Sequence, residues 1–403
     1  MVSPPDANGR LLEAISGFDF GTALDLFPTE LASPSEGSIV YEAYVGPLVS
    51  PQEPNGNFDI YEAQRSSQGW KTARRISPSG PQSVTPTAGG VSSDHDYAFT
   101  HPILVPGPRP SGVLTGELGA DYLSKPNGSF QLTGVGSLGS EPLAQGRYIS
   151  PGGEHVIFST GKLEGQSYWC KAVAAKCKVK QLEPSAAPTG TGTIYDREAD
   201  GSTHVVSLLP GEIPQTSGQQ AFYQGASKNG TSIAFEIGGV LYVRVNSGKE
   251  ASEETEEAPA GAPVYAGLSE DGKYLFYVSG GQKGTIHRFE TETEIDEGIN
   301  PTAEGEVVNV SADGSHVYFL SEEQIGGLGA AGQSNLYDWS GGTTELVATV
   351  APTDTERTSG TLNGECTPSV VCGIPALTRW TSYAVVPINQ IEKGPGADSS
   401  RAT

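Results

Sequence analysis

The sequence predicts an all-β chain folded as a β-propeller of four-stranded blades. Three observations carry that prediction: a nine-residue pattern that recurs six times, an aromatic at one fixed place in every copy, and a further strand pair after the hairpin of each unit. With the first residue of the pattern as position zero, the copies begin at Ser33 (SPSEGSIVY), Val91 (VSSDHDYAF), Ser150 (SPGGEHVIF), Ser227 (SKNGTSIAF), Ser269 (SEDGKYLFY) and Ser311 (SADGSHVYF). Position eight holds Tyr41, Phe99, Phe158, Phe235, Tyr277 and Phe319, and position six holds Ile39, Tyr97, Val156, Ile233, Leu275 and Val317.

Each copy reads as a strand, a tight turn and a second strand. Asp-Gly or Asn-Gly supplies the left-handed backbone that the turn needs, with the Asp or Asn side chain closing on its own backbone. Gly153, Gly230, Gly272 and Gly314 share position three for that reason. The run after the turn is rich in aromatic and β-branched residues and too short for a helix. Position seven is also apolar (Val40, Ala98, Ile157, Ala234, Phe276, Tyr318). That second strand therefore does not alternate, which predicts burial on both faces between neighbouring sheets.

A second strand pair follows: "DIYEAQRSSQGWKTARRI" after Ser33, "TIYDREADGSTHVVSLLPGE" after Ser150, "GTIHRFETETEI" after Ser269 and "NLYDWSGGTTELVATV" after Ser311. Four-stranded units with a period near 40 to 45 residues are the mark of propeller blades. The copies are spaced by 58, 59, 77, 42 and 42 residues, so the first three blades carry insertions expected in surface loops. A β-sandwich lacks a fixed four-strand repeat, and no segment has the apolar spacing of a helix.

These residues resemble a known repeat. The Ser-x-Asp-Gly turn, the apolar and aromatic strand after it, and the following "LYDW" or "IYDR" are similar to the TolB-like, or WD-like, β-propeller repeat over roughly residues 30 to 350. The resemblance implies the propeller fold and leaves many functions open. The opening "MVSPPDANG" further resembles a stretch inside large secreted actinobacterial propeller proteins. The expected organisation is an N-terminal segment 1–30 that could supply a ring-closing strand, the repeats in 31–350, a degenerate or incomplete last blade in 351–391 and a disordered tail in 392–403, with closure of the ring left open by the sequence. Residues 351–391 carry the strand-like "LTRWTSYAVVPINQ" without an Asp-Gly turn.

Composition narrows the function classes. Of 403 residues, 53 are Gly and 29 Pro, which fits a chain of many turns, and the net charge is -23. Such an acidic surface is a poor partner for nucleic acid, which calls for clustered Lys and Arg. No apolar stretch approaches the 18 or more residues of a membrane span, and no signal peptide opens the chain. The acidic run "KEASEETEEAPAG" at 249–261 reads as a solvated loop between blades. Cys170 and Cys177, and Cys366 and Cys372, form two close pairs outside the repeats. A metal site calls for shorter spacers and His partners, so the pairs point to local disulfides, each stabilising by roughly 2 to 3 kcal/mol. Free thiols in a cytosolic protein are the alternative. The disulfide reading places the chain outside the cell or in its envelope.

Searches for chemistry return structural readings. "GVGSLG" at 134–139 matches Gly-x-Gly-x-x-Gly but follows an antiparallel strand and opens no helix, so it reads as a loop. "DHD" at Asp94 to Asp96 occupies the turn of the second copy. His155 and His316 share position five, a mixed polar place at a strand entrance. His95, His101, His204 and His287 show no ligand spacing. Glycosylation sequons occur at Asn127, Asn229 and Asn309, the last two with structural reasons of their own. The turns are not the Asp-boxes of sialidases, which separate Asp and Gly by one residue.

No catalytic, cofactor or metal residue is therefore named. The expected function is a noncatalytic, monomeric binding or scaffold propeller that takes protein, peptide or cell-envelope polymer. The alternative is a glycan-acting hydrolase or lyase with carboxylates at a central channel.

Overall fold

The computed structural model describes residues 11–13, 32–33, 38–44, 58–74, 83–103, 120–142, 144–161, 179–249, 251–259, 261–280, 284–300 and 304–349. The expected last blade (351–391), the tail and all four cysteines lie outside them. The described residues form six antiparallel sheets of four or five strands, one after another along the chain, and two two-stranded hairpins, Val135–Gly136 with Gly139–Ser140 and Leu208–Leu209 with Ile213–Pro214. Sheet 1 holds Ser38–Tyr44, Phe58–Ser66 and Gly69–Arg74, with Leu11–Glu13 and Ala32–Ser33 both paired to Ser38–Tyr44. Sheet 2 runs Ser83–Val91, Ala98–Ile103, Tyr122–Ser124, Phe130–Leu132. Sheet 3 runs Gln145–Ile149, His155–Thr160, Thr193–Glu198, Thr203–Val205. Sheet 4 runs Ala221–Ala226, Ile233–Ile237, Val240–Val245, Glu254–Glu257. Sheet 5 runs Val264–Leu268, Tyr274–Ser279, Thr285–Glu290, Ile295–Gly298. Sheet 6 runs Glu306–Val310, His316–Ser321, Asn335–Ser340, Thr343–Thr349.

Strand order equals chain order in sheets 2 to 6, the up-and-down meander of a propeller blade. The fold class is the all-β propeller type that the repeat predicts. Among the described residues no helix is long and apolar enough to cross a membrane.

The chain divides into two units, one formed by Met1–Tyr223, Lys228–Thr231 and Asn246–Glu253, the other by Gln224–Ser227, Ser232–Val245 and Glu254–Thr403. In the first unit, Phe99 and Leu123 of sheet 2 pack on Ile149 and Val156 of sheet 3. In the second, Leu241, Val243 and Ala234 of sheet 4 meet Leu275, Tyr277 and Phe289 of sheet 5. The opposite face of sheet 5, through Phe276, Val278 and Ile286, packs on Val317, Phe319, Tyr337 and Trp339 of sheet 6. Each unit buries its apolar residues between successive sheets, the arrangement expected when one blade cannot cover its own faces.

Burial follows the repeat closely. Ile157, Phe158, Ala234, Phe235, Phe276, Tyr277 and Phe319 are all fully buried. In sheets 3, 4 and 5 positions six to eight are buried together, as the non-alternating pattern predicts. Sheet 6 differs, because its second strand alternates and Tyr318 is half-buried. The third strand supplies an aromatic partner for position eight: Phe158 stacks on Tyr195, Phe235 on Tyr242 and Phe319 on Tyr337, with ring centroids 5.3, 5.5 and 5.6 Å apart. Such cross-strand aromatic pairs are a unit of sheet stabilisation.

Two expectations need correction. The second copy starts at Ser92, not Val91: its hydroxyl accepts from the N–H of Tyr97, the same zero-to-five bond that Ser150 makes with His155. Thr100, opposite Tyr122, therefore takes position eight, and Phe99 takes position seven. Second, Glu254–Glu257 is the outer strand of sheet 4 rather than part of a solvated loop. Thr255 and Ala258 are buried while Glu254 and Glu257 are exposed, so an acidic run serves as the outer strand of the blade.

Candidate functional site

The repeated turn is built by its serine. The hydroxyl at position zero accepts from the N–H at position five in sheets 2 to 6, at 3.0 Å for Ser92, 2.8 Å for Ser150, 2.9 Å for Ser227, 2.9 Å for Ser269 and 2.8 Å for Ser311. Where position two is Asp, the hydroxyl donates to it: to Asp94 at 2.5 Å, Asp271 at 2.7 Å and Asp313 at 2.7 Å. Those carboxylates also accept from the backbone two residues on. Hydroxyl and N–H donors hold the Asp313 carboxyl far below its ordinary range. The Asp94 carboxyl also lies low, since the bonds from Ser92 and the N–H groups of Gly152 and Asp96 outweigh the burial that opposes its charge.

Position three is left-handed, at φ 67, 79, 76 and 68 for Gly153, Gly230, Gly272 and Gly314. In the second copy His95 stands there at φ 62, which hides the turn from a search for glycine. Each glycine also lies against position five of the preceding sheet. A Cβ on Gly153 would come 2.7 Å from the Tyr97 ring, one on Gly230 2.6 Å from His155 and one on Gly314 2.6 Å from Tyr274. Where glycine stands there, it serves both the left-handed backbone and the close contact with its neighbour.

The position-five histidines grip a third-strand carboxylate. His155 Nδ1 lies 2.7 Å from Asp196 Oδ2, and the Ser247 hydroxyl donates to the same oxygen at 2.6 Å. His316 Nδ1 lies 3.0 Å from both oxygens of Asp338. In sheet 1 the equivalent carboxylate is Glu62, 3.3 Å from Nδ1 of His95. Burial disfavours the charge on His155, but its hydrogen bond to Asp196 and the nearby charges of Asp196, Glu198 and Glu154 prevail and raise its pKa above the ordinary 6.5. Ser247 bonds to the carboxylate and not to the imidazole, so this set has no nucleophile paired with its base. It clamps a turn to a sheet.

Sheet 5 is built differently. Arg288 stands where sheets 3 and 6 have Asp196 and Asp338, and its guanidinium lies 4.7 Å from the Tyr274 ring centroid and 4.8 Å from that of Trp339. On the other face His287 stacks on Tyr277 at 4.8 Å. His287 Nδ1 lies 2.8 Å from Asp296 Oδ2, and its Nε2 lies 3.0 Å from the Ser279 hydroxyl. The Tyr277 hydroxyl donates to the second Asp296 oxygen at 2.8 Å. This line joins a hydroxyl, an imidazole and a carboxylate through the two ring nitrogens in turn. The three residues show no recognisable spacing in the sequence because they come from three strands.

The remaining motifs take structural places. "GVGSLG" forms a two-stranded hairpin, Val135–Gly136 with Gly139–Ser140. A Cβ on Gly134 or Gly136 would strike the carbonyls of Glu141 or Leu182. Asn127 and Asn229 accept from the backbone and hydroxyl two residues on, as turn-forming side chains do. His204 lies 3.8 Å from Glu198. Among the described residues no group of three or more His, Cys, Asp or Glu side chains is placed to hold a metal ion. His101 has only its backbone described.

No protein-family model matches the chain, and no curated protein matches it. Among solved structures it is similar to TolB from Acinetobacter baumannii, at 15% identity and TM-score 0.32 over 75% of this chain and 61% of that one. It is also similar to an oligogalacturonate lyase in complex with manganese, at 12% identity and TM-score 0.45 over 90% of this chain and 83% of that one. A third is dipeptidyl peptidase 4 of Porphyromonas gingivalis, at 11% identity and TM-score 0.43, covering 77% of this chain and 44% of that one. The chain thus spans less than two thirds of the TolB and peptidase chains. With a TolB, a lyase and a peptidase all among them, the likenesses do not choose between binding and catalysis.

Proposed function

We propose that the chain is a binding or scaffold protein of the propeller type, acting outside the cell or in its envelope. Its repeated polar side chains hold the blades, and its loops take protein, peptide or envelope polymer. The observation that supports this reading is the recurrence of one clamp: His155 with Asp196 and His316 with Asp338 use the same two repeat positions, and His95 reaches Glu62 at the second of them. A pair that returns at the same two repeat positions in sheets 3 and 6 is tied to the blade framework, where it attaches the turn, and not to one local site. The alternative, a glycan-acting hydrolase or lyase, calls for carboxylates facing one another across a site.

A melting screen of the purified full chain separates the two. A ligand that binds only the folded state raises the melting temperature by mass action. The binding reading expects a shift with a peptide or an envelope polymer that is recovered intact. A glycan that shifts the melt and is then found cleaved would replace it with the alternative.

A further inference from the structure

Sheet 5 departs from the other blades at two positions together. On the third strand, the residue opposite position eight is Tyr61, Tyr122, Tyr195, Tyr242 or Tyr337 in the other five sheets, and His287 in sheet 5. Two residues farther on, the fourth-strand partner is Thr72, Thr203, Thr255 or Thr344 in sheets 1, 3, 4 and 6, and Asp296 in sheet 5. A Tyr replaced by His and a Thr replaced by Asp meet each other at 2.8 Å, and the free ring nitrogen meets Ser279 at 3.0 Å. The blade needs neither change, since its siblings fold without them. Local departures from an otherwise consistent pattern are where functional sites are expected.

We propose that Ser279, His287 and Asp296 form an acyl-transfer site that hydrolyses small carboxylic esters. Asp296 accepts from Nδ1–H and fixes the tautomer that leaves the Nε2 lone pair for the Ser279 hydroxyl. Tyr277 holds this geometry twice, by stacking on the imidazole and by donating to Asp296. The His287 and Asp296 side chains are 14% and 22% exposed and Ser279 is half-buried, so the line lies at the surface of the sheet, partly open to water.

Ser279 Oγ bonds to the acyl carbon while its proton passes to Nε2. The bond from the acyl carbon to the alcohol oxygen breaks, and Nε2 returns the proton to that oxygen. Water then adds to the acyl-serine with His287 as base, releasing the carboxylic acid and restoring the hydroxyl, with no change of oxidation state. The N–H of Gly280, next in the chain, donates to Gly261 at 3.3 Å and would have to leave that carbonyl to serve the developing oxyanion. This inference adds chemistry to one blade and leaves the binding role of the others unchanged; its failure would not touch that role.

The test uses the full chain with a fluorophosphonate probe and with p-nitrophenyl acetate. Peptide mass spectrometry should find the probe on Ser279, and Ser279→Ala should lower ester hydrolysis by at least about 100-fold, the usual scale for a nucleophile and its base. His287→Tyr and Asp296→Thr restore what the sibling blades carry, so they should keep the melting temperature while losing the label, even should Ser279→Ala not fold. Asp296→Asn should lower kcat with KM unchanged, which marks Asp296 as a positioning residue. Absence of label from Ser279 in the wild-type chain, or hydrolysis that persists in His287→Tyr, overturns the proposal.

Discussion

Phe319→Ala tests the repeat at its most buried position. Phe319 is fully buried on the second strand of sheet 6, stacks on Tyr337 and belongs to the cluster that joins sheet 6 to sheet 5 through Phe276, Val278 and Ile286. Truncation removes the buried ring and leaves a cavity among rigid strands, which costs about 3 to 5 kcal/mol. Two neighbours calibrate that figure. Tyr318→Ala acts on a half-buried ring and should cost roughly 1 to 2 kcal/mol in lost apolar burial. His316→Ala removes a side chain 41% exposed together with its hydrogen bond to Asp338, and should cost about 1 kcal/mol or less. Urea unfolding followed by tryptophan fluorescence is a suitable assay, because Trp339 lies in the same cluster and is itself buried. Equal losses for Phe319→Ala and His316→Ala would refute the assignment of position eight to the core.

Four further outcomes are expected. Gly314→Ala forces a side chain onto φ 68 and a Cβ to 2.6 Å from Tyr274, and should cost about 2 to 4 kcal/mol from the left-handed backbone and the overpacking together; a urea midpoint within error of wild type would count against the contact. The His155 pKa is raised in the folded state, so its pairing with Asp196 stabilises fully below about pH 6.5 and loses that effect as pH rises through the folded value. His155→Gln should therefore destabilise more at pH 5.5 than at pH 8.5, and the reverse order in paired urea titrations would refute the sign. Cys170 with Cys177, and Cys366 with Cys372, are proposed as local disulfides, so alkylation without reductant should add no mass, and 4 adducts would refute both pairs. Residues 351–391 are proposed as the last blade, so peptides covering "SYAVVPI" should exchange amide hydrogens at least about tenfold slower than an unfolded chain, and unprotected exchange would remove that blade.

The architecture was readable because a repeat averages out the ambiguity of any one strand. A single run such as "YLFYV" fits a buried strand or a piece of buried helix, but six aligned runs each opened by a turn do not. What misled was the second copy. Aligning on aromatics put Phe99 at position eight, whereas the hydrogen bond from Tyr97 N–H to Ser92 sets the register one residue later. Glycine would normally have corrected this, but His95 occupies the left-handed position, so the most reliable turn marker was missing from that copy. A one-residue slip exchanges the two faces of a strand, which is why so small an error moves a residue from one packing face to the other. The acidic strand Glu254–Glu257 was hidden by its composition, since it reads as a solvated run and its burial does not alternate.

The candidate site was hidden at a deeper level. Its residues lie on the second, third and fourth strands of one sheet, and only the second strand carries the turn by which copies can be aligned in sequence. His287 looks isolated until its register opposite Tyr277 places it in the column of Tyr61, Tyr122, Tyr195, Tyr242 and Tyr337. Asp296 looks like one acid among 47 until the same register puts it in a column of threonines. A repeat protein provides its own reference for each position, since each blade shows what the fold requires there. Against that reference the clamp of His155 and Asp196 recurs at the same two positions as His316 and Asp338, whereas among the described sheets the line through Ser279, His287 and Asp296 is found in sheet 5 alone. That contrast, more than the presence of any residue type, separates what holds this chain together from what it can do.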